Sequence, residues 1–234
     1  MAESLPSPDS HPLGADILRP EQMTVLSTQL RSALVADGMD AIGLRRQCLG
    51  PGLAPLTSGQ VLVGTAFTVE IRTVDTVPEA PYQGLLAALD TIGPGEVYVA
   101  ATGGADGVAI WGELITAACM ARGARGSICD GYARDTALIR RTPFPVFCRG
   151  TVPYDSNGRS EVVGHGSAVQ IDGVRIEPGD LIVADDDGVA VVPRQAGDEV
   201  VRRAIAKAQD ESQFRIAVRN GMSAVEAFRS YGVL

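Results

Sequence analysis

Two short stretches of this 234-residue chain carry residue types that can do carbonyl chemistry together: Gly112-Glu-Leu-Ile115 and, with twenty residues intervening after Glu113, Arg134-Asp135. A helix beginning near Gly112 leaves the amides of Leu114 and Ile115 without intrahelical acceptors, at the end where the helix dipole favours an anion. A substrate carboxylate fits there. Asp135, in a turn after a strand, is a hard oxygen ligand suited to Mg2+ or Mn2+, which keeps several waters and takes few protein ligands. Glu113 can hold one of those waters. The Arg134 guanidinium offers a fixed fork of donors for a carboxylate or a developing enolate oxygen. Spacing alone leaves a plainer alternative open, because first-turn glutamates are common on surfaces and Arg-Asp neighbours often form surface ion pairs.

Composition removes several other chemistries. Of 20 basic side chains only Lys207 is a lysine. A P-loop needs Gly-Lys-Ser/Thr, and Schiff-base aldolases and pyridoxal enzymes need a desolvated amine. Lys207 falls beside the apolar stripe Val201, Ile205 and Ala208, which assigns it to a solvated helix face. Carbonyl chemistry here therefore calls for a metal or a hydrogen-bonding electron sink. With 28 acidic residues and a net charge of -8, nonspecific nucleic-acid binding is disfavoured. Cys48, Cys119, Cys129 and Cys148 have no C-x-x-C spacing, and Cys119 and Cys129 read as small buried hydrophobes. No apolar run is long enough to span a membrane, so a cytoplasmic location is expected.

The elements that would position the candidate residues alternate between strand and helix. Residues 1–19 read as a flexible N-terminal arm and 20–234 as one α/β domain. Pro20 opens a helix carrying Leu26, Leu30 and Leu34, punctuated by Gly38 and Gly43. Residues 61–71 predict a strand pair or one bent strand with a bulge at Gly64, and 81–89 a short helix. Pro94-Gly-Glu and Pro178-Gly-Asp look like two similar hairpin entries. Residues 112–122 predict a helix closed by Gly123, and 126–130 a short strand ending in the polar turn 131–135. Strands around Val162, Val169, Ile182 and Val189 precede two helices, the last announced by the capping box Ser223-x-x-Glu226. No G-x-G-x-x-G follows the first strand, which argues against dinucleotide binding.

An ordered set of segments, Val35-Ala-Asp-Gly-Met-Asp40, Val63-Gly-Thr-Ala-Phe-Thr-Val69, Gly112-Glu-Leu-Ile115, Cys129-Asp-Gly-Tyr-Ala-Arg-Asp135, Pro178-Gly-Asp180 and Asp187-Gly-Val-Ala-Val-Val-Pro193, resembles the RraA-like family. That family includes class II pyruvate aldolases acting on 4-hydroxy-4-methyl-2-oxoglutarate and 4-carboxy-4-hydroxy-2-oxoadipate, and regulators that bind ribonuclease E without catalysis. The resemblance implies an α/β/β/α sandwich of the swivelling-domain-like type, assembled as trimers or hexamers with sites between subunits. It implies Asp135 as the direct ligand of Mg2+ or Mn2+ and Glu113 as a ligand through water, with Gly112, the Leu114 and Ile115 amides and Arg134 around a pyruvyl group. The better-known aldolases carry Asp where this chain has Glu113, and an acidic residue from a neighbouring subunit completes their site. Cleavage of a 4-hydroxy-2-oxo acid, with oxaloacetate decarboxylation as a side activity, is the implied reaction.

Other polar residues receive quieter assignments. His11 lies in the arm and His165 in a loop between glycines. Asp185-Asp-Asp187 lacks the spacing of a Ca2+ loop and reads as a turn before a strand. Arg72, Arg149 and Arg159 are candidates for a distal substrate carboxylate, and Gly103-Gly-Ala-Asp-Gly107 for a pocket loop.

Overall fold

The computed structural model describes residues 19–104 and 107–234. The proposed arm, apart from Arg19, and with it His11, lies outside the described residues, as do Ala105 and Asp106 of the glycine-rich loop. The strands are β1 (Ala54–Pro55), β2 (Leu62–Thr73), β3 (Glu96–Ala101), β4 (Ala109–Trp111), β5 (Gly126–Ala133), β6 (Val146–Thr151), β7 (Ser160–His165), β8 (Val169–Ile171), β9 (Val174–Ile176), β10 (Leu181–Asp185) and β11 (Gly188–Val192). The α-helices are α1 (Met23–Gln29), α2 (Ser32–Asp40), α3 (Gln83–Thr91), α4 (Glu113–Ala121), α5 (Thr136–Ile139), α6 (Gly197–Arg219) and α7 (Ala224–Tyr231). None of the described helices is long and apolar enough to cross a membrane.

Alternation along the strands builds the layers. The main sheet runs β1-β6-β5-β3-β2-β10-β11, with β4 added on β5 and β7 on β2. Its two ends meet through one stretch of chain: Cys48 bridges Ala190 while Ala54 and Pro55 pair with β6, so the sheet is nearly closed. Inward-facing Leu62, Val97, Val99, Ile128, Phe147 and Ile182 pack with β8 and β9 in an interior β/β core. The opposite faces of the same strands carry helices, with α1, α2 and α6 over Val63, Leu181 and Val183, and α3 and α4 over Phe67, Tyr98 and Cys129. Helix, strand, strand, helix is the resulting order of layers, as expected.

Several local expectations change where tertiary contacts intervene. The Leu26-Leu30-Leu34 stripe is split into α1 and α2 at the extended Leu30, and α2 starts where Asp185 accepts bonds from the Ser32 amide (2.8 Å) and hydroxyl (2.5 Å). Gly38 lies inside α2 rather than ending it; a Cβ there would stand 3.1 Å from Val200 O of α6. Gly64 is no bulge. It pairs regularly with Ile182, and a side chain on it would meet Gly95 O at 2.6 Å; the irregularity of β2 falls between Glu70 and Ile71. The two Pro-Gly turns share positive φ at Gly95 and Gly179 but feed strands that pair differently, since β3 has only parallel neighbours whereas β10 forms a hairpin with β11. Residues 131–133 are not turn but the end of β5, and His165 is not in a loop but ends β7, its ring stacked 5.4 Å from Phe67.

Other expectations hold. Gly123 follows α4 at φ +79°. Both bonds of the Ser223–Glu226 capping box are present at 3.2 Å. The acidic triplet turns into β11, with Asp186 binding Ser58 and Gly59. Cys119, Cys129 and Cys148 are buried, and burial pushes the Cys119 thiol up to about 12. Lys207 is more constrained than a solvated face implies: its ammonium pairs with Asp37 of α2 at 2.5 Å.

Candidate active site

Parallel pairing explains how two motifs twenty residues apart meet. β4 and β5 run side by side in the same direction, with Trp111 opposite Ala133. Each strand ends at that level, so Gly112 and Arg134 leave the sheet together at its carboxyl edge, where open α/β sheets present ligand-binding loops. A bond from the Arg134 amide to Trp111 O (2.9 Å) ties the exits together.

On the β4 side, the chain turns into α4. The Trp111 indole donates to Thr116 Oγ1 (2.9 Å), and the Thr116 hydroxyl and amide donate to Gly112 O (3.0 and 3.1 Å). This buried network fixes the first turn, whose second and third residues are Leu114 and Ile115. Their amides point out of the helix start without intrahelical acceptors. Glu113 is the first helical residue, and its amide lies 3.5 Å from Asp135 Oδ2.

On the β5 side, Asp135 adopts φ +57°, a left-handed conformation that Asp tolerates better than most residues, and caps the short α5. This strained backbone holds its carboxylate over Gly112, where a Cβ would stand 3.0 Å from Asp135 Oδ2. Any pressure for glycine at this position thus comes from the Asp135 carboxylate rather than from φ. The Arg134 Nε approaches the same carboxylate at 3.7 Å, and the two side chains remain 38% and 44% exposed.

A third acid, missed from the sequence, completes the cluster. The chain leaving β6 bonds back to β4 and β5, Val152 N to Ala133 O (3.1 Å) and Ala109 N to Tyr154 O (3.0 Å). Asp155 is thereby carried to Arg134, its Oδ1 standing 3.5 Å from Arg134 Nη2. Its other oxygen accepts from the Tyr82 hydroxyl at 3.0 Å. Burial tends to raise the Asp155 carboxyl, but the Tyr82 bond, the Arg134 charge and the Ser156 and Asn157 amides hold it below the ordinary value. Tyr82 is itself at φ +65°, the cap of α3. Neither residue carries a motif; only the positive φ singles out Tyr82, and that is invisible in sequence.

The remaining arginines do not converge on this cluster as a set. Arg72 pairs with Glu70 at 3.0 Å. Arg149 bridges Asp130 and Asp172, at 2.6 Å each, in a cleft of about 610 Å3 that Gly103 and Gly104 also line. Arg159 donates to Asp155 O at 3.0 Å and lies over the Tyr154 ring.

Among the described residues, no three His, Cys, Asp or Glu side chains cluster closely enough to enclose a metal ion. Asp135, exposed above the Gly112 cradle, and Glu113, in the first turn of α4, are the carboxylates available to a hard cation that retains most of its waters.

Residues 32–191 match the family model described as RraA-like, aldolase/RraA. A protein of Halalkalibacterium halodurans provisionally named 4-hydroxy-4-methyl-2-oxoglutarate aldolase is 31% identical over 86% of this chain and 92% of its own length. Protein DlpA of Legionella pneumophila is 29% identical over 92% of this chain, which spans only 35% of that longer protein. The crystal structure of Streptomyces coelicolor RraAS2, described as an unusual member of the RNase ES inhibitor RraA family, superposes with a TM-score of 0.70 at 30% identity, covering 82% of this chain and 96% of that one.

Proposed function

Because the chain belongs to the RraA-like family, we propose that it is a divalent-cation-dependent lyase cleaving a 4-hydroxy-2-oxo acid, such as 4-hydroxy-4-methyl-2-oxoglutarate, to pyruvate and a second carbonyl compound. The observation that carries this reading is the convergence of the α4 start with Arg134 and Asp135 across the Gly112 cradle. Such a cluster combines an anion-binding helix end, a cation-binding carboxylate and a guanidinium, which are the parts that enolate chemistry needs.

In this reading the 2-oxo acid lies at the start of α4, its carboxylate accepting from the Leu114 and Ile115 amides and from Arg134. Asp135 directly and Glu113 through water would hold Mg2+ or Mn2+, which would supply Lewis acidity for the 2-oxo group. Arg134 places positive charge beside the enolate oxygen that develops as the C3–C4 bond breaks. The sole lysine does not serve this end, since it is paired with Asp37 between α2 and α6. Oxaloacetate yields the same pyruvate enolate on losing carbon dioxide, so its decarboxylation belongs to the proposal.

Near the cluster, Leu114 of α4 is 80% and Leu138 of α5 49% exposed. Apolar residues so placed support a homo-oligomer, a trimer or hexamer, whose neighbouring subunit closes the site. A cytoplasmic location is part of the same proposal.

Pyruvate release from a panel of 4-hydroxy-2-oxo acids and oxaloacetate, with Mg2+ or Mn2+ and with EDTA, tests the reading. Release abolished by EDTA is expected; no release from any substrate, or release indifferent to EDTA, refutes it. The likeness to the ribonuclease-inhibitor relative supports a second reading, a non-catalytic protein binding a ribonuclease. Inhibition of a ribonuclease without any pyruvate release would favour it, whereas activity on a different metabolite alone would keep the lyase class and change the substrate.

A further inference from the structure

We propose that Asp155, anchored by Tyr82, is a positioning residue that sets the direction of the Arg134 guanidinium. Arg134 stands between two acids: Nε faces Asp135 Oδ2 at 3.7 Å and Nη2 faces Asp155 Oδ1 at 3.5 Å. Nε and Nη2 share one edge of the planar fork, so two carboxylates ranged along that edge restrain its rotation as well as its location. Neither engages Nη1, which is left to donate to a ligand. A single neighbour would fix only one end, and the flexible stem would let the fork swing.

Asp155 is itself held from several sides. Tyr82 donates to Oδ2 at 3.0 Å, and the amides of Ser156 and Asn157 also favour its ionised form. Arg159 approaches its backbone carbonyl, at 3.0 Å, and so does not replace Arg134 at the carboxylate. Tyr82 and Asp155 lie on separate elements, 73 residues apart, and Tyr82 reaches its partner from a left-handed backbone conformation. Such strain persists only where the surroundings impose it. Without Asp155, Asp135 is the acid that remains paired with Arg134 among the described residues, and a guanidinium collapsed on that carboxylate competes with the cation proposed there.

The kinetic consequence rests on the lyase reading; the orientation of Arg134 does not. Asp155→Asn is expected to lower kcat on the order of tenfold, with a smaller change in KM, because a misdirected fork weakens transition-state more than ground-state contacts. Asp155→Glu, which keeps the charge, should retain more activity than Asp155→Asn. Tyr82→Phe should have a milder effect that vanishes in an Asp155→Asn background, since the two act in series.

The same variants are followed by 15N NMR of arginine-labelled protein, the Arg134 side-chain signal being assigned by its loss in Arg134→Lys. A restrained Arg134 signal in the wild type that becomes mobile in Asp155→Asn is the expected result. If the wild type releases no pyruvate while Arg134 still loosens in Asp155→Asn, the lyase reading fails and the positioning role stands. If the Arg134 signal is unchanged in Asp155→Asn, or kcat is unchanged in an active enzyme, the positioning role is overturned. Additive effects of Tyr82→Phe and Asp155→Asn would remove Tyr82 from it.

Discussion

The Asp135 carboxylate occupies the space that a side chain on Gly112 would need, its Oδ2 lying 3.0 Å from the position of a Cβ there. The Gly112 backbone is extended, at φ -157°, so alanine is conformationally acceptable. Gly112→Ala should therefore fold with a nearly unchanged Tm yet displace the Asp135 carboxylate by a few tenths of an ångström. A loss of activity on the order of tenfold or more is expected for a reacting cluster misplaced in this way. Steady-state kinetics beside thermal unfolding would check it, and full activity would mean that the cradle plays no part.

Asp135→Asn tests the cation without disturbing the backbone. Asn tolerates the left-handed conformation that Asp135 adopts, whereas Ala pays a steric penalty there. A ligand that binds only the native state raises stability by mass action, so millimolar Mg2+ or Mn2+ should raise the Tm of the wild type. The rise should disappear in Asp135→Asn and on adding EDTA. An equal rise in both proteins would place the cation elsewhere.

Arg149 should matter for stability. It holds Asp130, whose side chain is only 5% exposed, and Asp172 at 2.6 Å each. Removing one partner of a buried pair leaves an uncompensated charge, which costs about 3 kcal/mol. Urea unfolding of Arg149→Met should give a lower midpoint with an unchanged slope. Adding Asp130→Asn should recover part of the loss, because the orphaned charge then disappears.

Tyr98 makes the opposite case. Its buried hydroxyl has no hydrogen-bond partner among the described residues, and it lines a small cavity of about 30 Å3 beside Tyr82 and Leu85. An unpartnered buried hydroxyl is costly, so Tyr98→Phe should raise stability by about 1 kcal/mol. A loss of stability would instead reveal a water in the cavity, bound to the hydroxyl.

Thiol reactivity separates the cysteines. Burial raises the Cys119, Cys129 and Cys148 thiols, Cys119 to about 12, so at pH 8 they stay protonated as well as inaccessible. Cys48 is exposed, although burial followed by the nearby Asp40 charge raises its thiol too. Native labelling with a thiol reagent should titrate one cysteine slowly, and all four only after unfolding.

Features decided by neighbours along the chain were the ones that could be read from sequence. The Ser223–Glu226 cap, the Gly123 helix stop and the acidic turn at 185–187 each close through bonds or φ angles a few residues apart. Glu113, Arg134 and Asp135 come together for a related reason: they follow β4 and β5, parallel strands that end opposite one another at Trp111 and Ala133. Tertiary structure alone decided the remainder. The break at Leu30, the role of Gly64 and the ion pair of Lys207 arise from backbones and charges that approach from distant segments. Asp155 and Tyr82 belong with these. Their contact spans 73 residues, and a carboxylate or phenol has no local signature until folding sets a partner 3 Å away, because hydrogen bonds and ion pairs depend on distance in space rather than on order in the chain.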